Sequence, residues 1–161
     1  MRFRNCFRVL LFTAAAALLT RTTPAQMAPQ MKIALQPTVK VKRGAPATIT
    51  LKVSLPAGFH ANSNKPTDPN LIPLSLKWTA GPLQSAAITY PKPQLEEYGF
   101  TGGKKISVVT GNFDVVTKFK VPAGAASGLA AETGTLRYQA CNDRMCFPPK
   151  NVKVNVTVNV E

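Results

Sequence analysis

The sequence predicts an all-β protein with an immunoglobulin-like antiparallel β-sandwich fold, and three observations support this. From about residue 31 onward, apolar and polar residues alternate at every second position, which is typical of strands with one buried face. Turn residues separate these runs regularly and indicate about eight short strands. No stretch after residue 25 has the 3.6-residue period of an amphipathic helix over a useful length.

Four runs show the alternation most clearly, and we expect their apolar residues to form the core. They are residues 49–55, 74–78, 113–121 and 152–160. In the last run, valines alternate with lysine, asparagine and threonine. The dipeptide Gly111-Asn112 predicts a tight hairpin between a strand at 106–110 and the strand at 113–121.

Two longer polar segments, residues 62–73 and 91–104, interrupt the strand pattern and are predicted to be loops. Loops of this length on a rigid sandwich are where binding and catalytic residues are usually found. Functional residues are therefore expected on these loops or beside them.

The first 25 residues have the pattern of a cleaved signal peptide. A basic head carries Arg2, Arg4 and Arg8, and an apolar run of eleven residues follows at 9–19. Small residues then lead to a cleavage site after Ala25. Because a membrane span needs about 20 apolar residues, we expect no stable membrane insertion after cleavage. The predicted organisation is a signal peptide at 1–25 and one exported domain at 31–161, periplasmic or secreted.

The charge of the chain is strongly positive, but its distribution does not indicate a nucleic-acid partner. The formal net charge of +13 falls to +9 without residues 1–25, because that segment holds four arginines and no acidic residue. The remaining lysines are scattered over positions that would face solvent, and no dense basic run is interleaved with aromatic residues. Nucleic acid is therefore not an expected partner.

Enzyme motifs that need a fixed spacing are missing from the sequence. There is no Gly-x-Ser-x-Gly turn and no phosphate-binding loop. Glu96 and Glu97 are adjacent carboxylates, which on a strand would point to opposite faces and could not act together on one substrate. No cofactor is expected.

Two cysteines, Cys141 and Cys146, remain after residue 25, within the stretch YQACNDRMCFPPK at 138–150. Residues 135–141 read as a strand that places Tyr138 and Ala140 on the core face, so Cys141 should lie on the other face, near the surface. Residues 142–145 are predicted to form a turn that returns Cys146 towards Cys141. The pair would then lie at a hairpin tip, within bridging distance.

The residues alone leave three interpretations of this pair open. It is a redox-active couple, a local structural staple or part of a metal site. A disulfide closing so short a loop contributes only about 2 kcal/mol, against nearly 5 kcal/mol for a loop of about a hundred residues. Two thiolates and the sulfur of Met145 would suit Cu(I). Zinc would need further ligands, and the only histidine, His60, is distant in sequence and expected in a loop or at a rim.

Three stretches resemble the family formed by the N-terminal periplasmic domain of the thiol:disulfide interchange protein DsbD. They are residues 55–78, residues 90–122 and the cysteine motif at 138–149, and the similarity extends over most of the chain from about residue 32. The third stretch is the most specific, because it combines Tyr-Gln-x-Cys with a second cysteine, an aromatic residue and two prolines.

The resemblance implies an immunoglobulin-like fold and a redox role. Members of the family accept electrons from a thioredoxin-like domain that is supplied through the membrane. They then reduce other periplasmic thiol proteins, including disulfide isomerases and cytochrome c maturation factors. By similarity, Cys146 would form the mixed disulfide with a partner and Cys141 would be the resolving cysteine. No metal is implied.

The resemblance also implies a loop that covers the cysteines. Residues 96–100, hereafter the cap loop, are similar to the family's cap loop but have one aromatic residue fewer, and either Tyr98 or Phe100 would be the lid. Its members are Glu96, Glu97, Tyr98, Gly99 and Phe100. Since this chain has no membrane helices or thioredoxin-like domain after residue 161, the membrane electron donor is expected to be a separate protein.

The function hypothesis is therefore an exported thiol–disulfide exchange module, which would act as a protein-disulfide reductase together with a partner. Its partners would be thioredoxin-like redox proteins and the separate membrane donor. The alternative is a non-redox structural or interaction sandwich with a local disulfide staple. A copper-handling module is the third hypothesis.

Overall fold

The chain folds into three four-stranded β-sheets in a computed structural model that describes residues 29–34 and 36–161. The signal peptide predicted at 1–25 lies outside the described residues. The strands are β1 (Lys32–Ile33), β2 (Val39–Val41), β3 (Pro46–Ser54), β4 (His60–Asn62), β5 (Ser75–Ala80), β6 (Gln84–Thr89), β7 (Gln94–Glu96), β8 (Ile106–Thr110), β9 (Asn112–Lys120), β10 (Gly128–Tyr138), β11 (Ala140–Cys141) and β12 (Lys150–Val160). One turn of 3₁₀ helix spans Gly99–Thr101.

Two of the sheets form the sandwich. The first has the strand order β1-β3-β9-β6 and the second has the order β2-β12-β10-β5. Apart from the parallel pairing of β2 with β12, all strand pairs in the described part of the chain are antiparallel. The predicted antiparallel β-sandwich is confirmed.

The buried faces of both sheets contribute to one hydrophobic core, as the alternation predicted. From the first sheet, Ile49, Leu51 and Val53 are each at most 1% exposed. From the second sheet, Leu136, Val154, Val156 and Val158 are buried in the same cluster. Burial of each such side chain contributes roughly 1.5–3 kcal/mol to the free energy of unfolding, so this core is the main source of stability for the fold that positions the loops.

The third sheet has the order β11-β4-β8-β7, and of its four short strands the sequence pattern predicted β8 but did not reveal β4 and β7. Its strand β7 and the 3₁₀ turn that follows β7 both lie inside the segment 91–104, which was predicted to be a loop. The described chain therefore has twelve strands rather than about eight, the additional ones being only two or three residues long. Strands this short have too few residues to show a period.

The predicted hairpin at Gly111-Asn112 is wrong. β8 lies between β4 and β7 in the third sheet, whereas β9 lies between β3 and β6 in the first sheet. Both edges of each strand are thus occupied by other strands, and Asn112 already pairs with Ser54. Gly111, with φ of 61°, instead turns the chain from one sheet into the other, and its carbonyl accepts a hydrogen bond from the Leu55 N–H at 2.9 Å.

Tyr138 holds the beginning of the described chain to the core. Its hydroxyl accepts a hydrogen bond from the Met31 N–H at 3.0 Å and donates one to the Pro29 carbonyl at 3.1 Å. The ring is 1% exposed.

In the described part of the chain, no helix is long and apolar enough to cross a membrane.

Candidate functional site

The cysteine pair lies where the β10–β12 hairpin leaves the second sheet. Pairing between these strands ends at Tyr138 and Lys150, and after Gln139 the chain joins β4 as β11. A tight turn at 142–145 follows, as predicted. The Asn142 N–H donates to the Met145 carbonyl, and the Asn142 side-chain oxygen accepts hydrogen bonds from the N–H groups of residues 144 and 145, all at 2.9 Å.

This turn returns the chain so that Cys141 and Cys146 face each other as an antiparallel bridge. Their sulfurs are bonded at 2.02 Å, and the Cα atoms are 3.9 Å apart. Cys141 is 0% exposed, whereas Cys146 is half-buried. An incoming thiolate must reach a sulfur along the axis of the bond, so Cys146, the less buried of the two residues, is the better placed for attack from outside.

The expectation that Cys141 lies near the surface is wrong. It assumed a regular strand from residue 135 to 141, but the strand is interrupted at Gln139. After this interruption Ala140 and Cys141 are both buried and pair with β4 in the third sheet. The alternation used for the prediction therefore does not continue through the cysteine.

His60 is the neighbour of Cys141 across the third sheet. It pairs with Cys141 on one side and with Thr110 on the other, so Thr110, His60, Cys141 and Cys146 form one row across adjacent strands. Residues directly opposite each other in antiparallel strands have side chains on the same face. His60 is 2% exposed, and its Nε2 has no hydrogen-bond partner.

The interpretation of His60 as a loop or rim residue is therefore wrong. The histidine lies in β4, which has only three residues, all of them buried. A stretch this short does not show on which face a residue lies, and sequence separation from the cysteines gives no information about contact. The glycine and aromatic residue before it were the one available indication of a strand entry.

The cap loop places aromatic rings over this histidine. The Tyr98 ring stacks on the imidazole with centroids 3.8 Å apart and planes 12° apart. Phe100 lies farther out, with its centroid 6.2 Å from that of His60 and 5.9 Å from that of Tyr98, again with nearly parallel planes. Phe100 therefore lies beside the stacked pair and is 36% exposed, whereas Tyr98 is the inner ring in the sense that it contacts the histidine directly.

The backbone of the cap loop rests on the cysteine turn. A Cβ atom built on Gly99 would be 3.4 Å from the Asp143 carbonyl oxygen. The Thr101 side chain fixes the loop locally, because its hydroxyl donates to the Tyr98 carbonyl at 2.8 Å and accepts from the Tyr98 N–H at 3.3 Å. Of the predicted cap-loop residues, Tyr98, Gly99 and Phe100 are thus close to the site, whereas the side chains of Glu96 and Glu97 are exposed.

The surroundings of His60 and Tyr98 keep the imidazole and the phenol uncharged at neutral pH. Burial lowers the pKa of His60 from its ordinary 6.5 to about 4, although the nearby Asp143 carboxylate acts in the opposite direction. Burial is also the main reason why the pKa of Tyr98 is raised, with smaller contributions from the charges of Glu96 and Asp143. The stacked pair is therefore a neutral imidazole beneath a protonated phenol.

We expect this histidine to make the fold sensitive to acid. Unfolded His60 binds a proton near pH 6.5, whereas folded His60 binds one only near pH 4. Its contribution is therefore fully present above pH 6.5 and is lost as the pH falls towards 4. Urea unfolding at pH 7 and pH 4.5 should show a loss of about 2 kcal/mol more for the wild type than for His60→Gln. Equal losses in the two proteins would contradict the assignment, and background carboxylates such as Glu132 cancel in the comparison.

Partly buried polar contacts fix the cysteine hairpin to the end of β4 and to the loop that follows it. The Gln139 side-chain oxygen accepts hydrogen bonds from Asn62 Nδ2 at 3.0 Å and from the Ile72 N–H at 3.1 Å. Gln139 Nε2 donates to the Phe147 carbonyl at 3.2 Å, on the other side of the disulfide. Sequence reasoning did not identify Asn62 as part of the site. The polar loop at 62–73 was the only indication of it.

A groove of about 240 Å³ opens beside the covered disulfide. It is lined by residues of the β3–β4 connection and by His60, Tyr98, Thr110 and Asp143. A larger open groove of about 880 Å³ lies elsewhere, between β1, Pro91 and the start of β9. Of these two grooves, the smaller one adjoins the residues that surround the cysteines and is the one relevant to sulfur chemistry.

The described residues contain no group of three or more His, Cys, Asp or Glu side chains placed to hold an ion. The two sulfurs are bonded to each other, and Met145 is 49% exposed on the outside of the turn. What this arrangement can do chemically is thiol–disulfide exchange at Cys146.

Comparisons with known proteins identify one family and several structures of similar fold. The family described as "Thiol:disulfide interchange protein DsbD, N-terminal" matches residues 26–158. The structure is similar to the reduced DsbD N-terminal domain of Neisseria meningitidis, with 16% identity, a TM-score of 0.45, and coverage of 73% of this chain and 82% of the other. It is also similar to the seventh ScaB type I cohesin of Pseudobacteroides cellulosolvens, with 14% identity, a TM-score of 0.48, and coverage of 81% and 92%. No curated protein matches the chain.

Proposed function

Because the chain belongs to the family of the N-terminal domain of the thiol:disulfide interchange protein DsbD, we propose that Cys141 and Cys146 pass reducing equivalents from a thioredoxin-like donor to other thiol proteins. The family consists of periplasmic thiol–disulfide exchange domains that interact with thioredoxin-like proteins. The observation that carries the proposal is the unequal burial of the two cysteines, which leaves Cys146 half-buried and Cys141 fully enclosed.

The exchange proceeds in two halves. A donor thiolate attacks the Cys146 sulfur, the disulfide breaks, and Cys141 leaves with the electron pair as a thiolate. The donor's second thiolate then attacks the donor sulfur in the mixed disulfide, which releases Cys146 and an oxidised donor. Towards an oxidised client, Cys146 attacks first, and Cys141 then attacks Cys146 to release the reduced client.

The cellular location of the protein is part of the same proposal. Residues 1–25 direct export and are removed, and the domain at 31–161 works in the periplasm or outside the cell. A separate membrane protein supplies electrons to the thioredoxin-like donor. Clients include disulfide isomerases and cytochrome c maturation factors. The cap loop limits access to the pair until a partner displaces it, and its contact with the cysteine turn through Gly99 supports this role.

The staple alternative has less support from the geometry. The β10–β12 pairing and the turn at 142–145 already hold the two ends of the loop together by hydrogen bonds. A disulfide added to such a hairpin constrains the unfolded chain over only a few residues, which gives a small stabilisation.

Equilibrium with a thiol–disulfide buffer of known potential tests the proposal. We expect a reduction potential near −200 mV, in the range of carriers that exchange with thioredoxin-like proteins. The rate of reduction by a thioredoxin-like protein is measured in parallel, with the Cys141→Ser/Cys146→Ser variant as the control for background. A potential below about −300 mV would identify a structural bond and overturn the proposal.

A further inference from the structure

We propose that His60 donates a hydrogen bond to the Cys141 thiolate when the disulfide opens, and thereby makes Cys141 a better leaving group. The inference rests on the proposed exchange function and adds a third residue to it. Its starting point is the row Thr110, His60, Cys141 and Cys146 across the third sheet.

The pairing places the imidazole on the same face as the sulfur. Directly opposite residues of antiparallel strands have Cβ atoms about 4.5–5.5 Å apart, so a histidine side chain easily spans the distance to its neighbour. Cys146 occupies the other side of Cys141, which leaves His60 as its remaining lateral neighbour in the row. Tyr98 stacks on the imidazole at 3.8 Å and fixes the plane of the ring.

A thiolate on Cys141 requires such a donor. Cys141 is 0% exposed, so water cannot solvate the negative charge that forms when the disulfide breaks. An unassisted buried thiolate has a raised pKa and leaves slowly. The exposed Arg144 side chain lies on the turn rather than in the row.

The imidazole has an atom free for this task. His60 Nε2 is buried and has no hydrogen-bond partner while the cysteines are oxidised, which is an unfavourable state for a polar atom. Reduction frees the Cys141 sulfur from Cys146, and the sulfur can then rotate towards the ring. The lowered pKa of His60 means that the neutral ring supplies an N–H and not a positive charge.

The step balances without a net proton transfer through the histidine. The donor thiolate forms a bond to Cys146, and the electron pair of the broken S–S bond moves onto Cys141. His60 keeps its proton and shares it in the hydrogen bond. The titratable groups that face the ring are Cys141 on β11, Asp143 on the turn and Tyr98 on the cap loop.

Two substitutions separate hydrogen bonding from packing. His60→Phe keeps an aromatic ring for the Tyr98 stack but has no donor. His60→Gln places an amide nitrogen near the position of Nε2 but loses the stacked ring. The pKa of Cys141 is measured by the ultraviolet absorbance of the thiolate in a Cys146→Ser background, and the reduction rate is measured with both cysteines present. Circular dichroism checks folding, and His60→Leu serves as a second variant without a donor.

We expect His60→Phe to raise the pKa of Cys141 by about one unit and to slow reduction by a thioredoxin-like donor about tenfold, with His60→Gln close to the wild type. If His60→Phe instead has the Cys141 pKa and reduction rate of the wild type, and His60→Gln is impaired, the histidine has a packing role and the inference is overturned. Failure of the wild-type disulfide to react with any donor would contradict the proposed function, whereas the pKa of Cys141 would still decide the role of His60.

Discussion

A variant that keeps only Cys146 should capture redox partners covalently, whereas a variant that keeps only Cys141 should not. The reason is burial, since Cys141 is fully buried beside β4 and Cys146 is half-buried at the edge of the turn. Thiol–disulfide exchange requires direct access of one sulfur to another. We expect capture by Cys141→Ser to be faster than capture by Cys146→Ser by on the order of a hundredfold.

The measurement uses a thioredoxin-like protein whose reactive cysteine is linked by a disulfide to a small thiol that is a good leaving group. Mixed disulfides between the two proteins are followed by non-reducing electrophoresis. The double variant Cys141→Ser/Cys146→Ser controls for non-specific attachment. Circular dichroism confirms that each variant is folded. Equal capture by the two single variants, or faster capture through Cys141, would contradict the assigned roles. The same Cys141→Ser variant, expressed in its own compartment, identifies natural partners.

Removal of the stacked rings should expose the disulfide to small thiols. Tyr98 contacts His60, which is the neighbour of Cys141, and the backbone of the same loop rests on the cysteine turn. We expect Tyr98→Ala/Phe100→Ala to increase the rate of reduction by a small thiol about tenfold or more, because access limits exchange at a shielded sulfur. Tyr98→Ala alone should account for most of the increase, since Tyr98 is the inner ring.

Leu129→Ala is the matched control for this experiment. Leu129 is an exposed apolar residue, 74% accessible, at the far end of β10 from the cysteines. Its removal should leave the rate unchanged. If the double variant reacts at the wild-type rate with small thiols, the cap loop does not shield the pair, and its role would be limited to partner recognition.

The sequence predicted which residues face the core far better than it predicted how the strands are arranged. Alternation at 49–55 and 152–160 identified buried residues correctly, because burial of one strand face leaves a period of two in the sequence itself. Which strands pair with each other, in contrast, produces no local pattern in the sequence. Gly111 looked like a hairpin turn, but the neighbours of β8 and β9 come from distant parts of the chain.

The same limit applies to the site. The turn at 142–145 was predictable, since the hydrogen bonds of the Asn142 side-chain oxygen join residues two and three positions apart. The burial of Cys141 was not predictable, because it depends on the interruption at Gln139 and on pairing with β4. The contact between His60 and Tyr98 joins residues 38 positions apart, and neither residue type alone indicates a partner.

The parallel pairing of β2 with β12 has a consequence for how the protein acquires its structure. Val39 pairs with Val158 and Val41 with Val160, partners about 120 positions apart, and β12 lies between β2 and β10. Contacts of such long sequence separation slow folding to milliseconds or seconds. The second sheet therefore cannot close until β12 has been synthesised, so the hairpin that carries Cys141 and Cys146, between β10 and β12, takes its folded position only once nearly the whole chain is available.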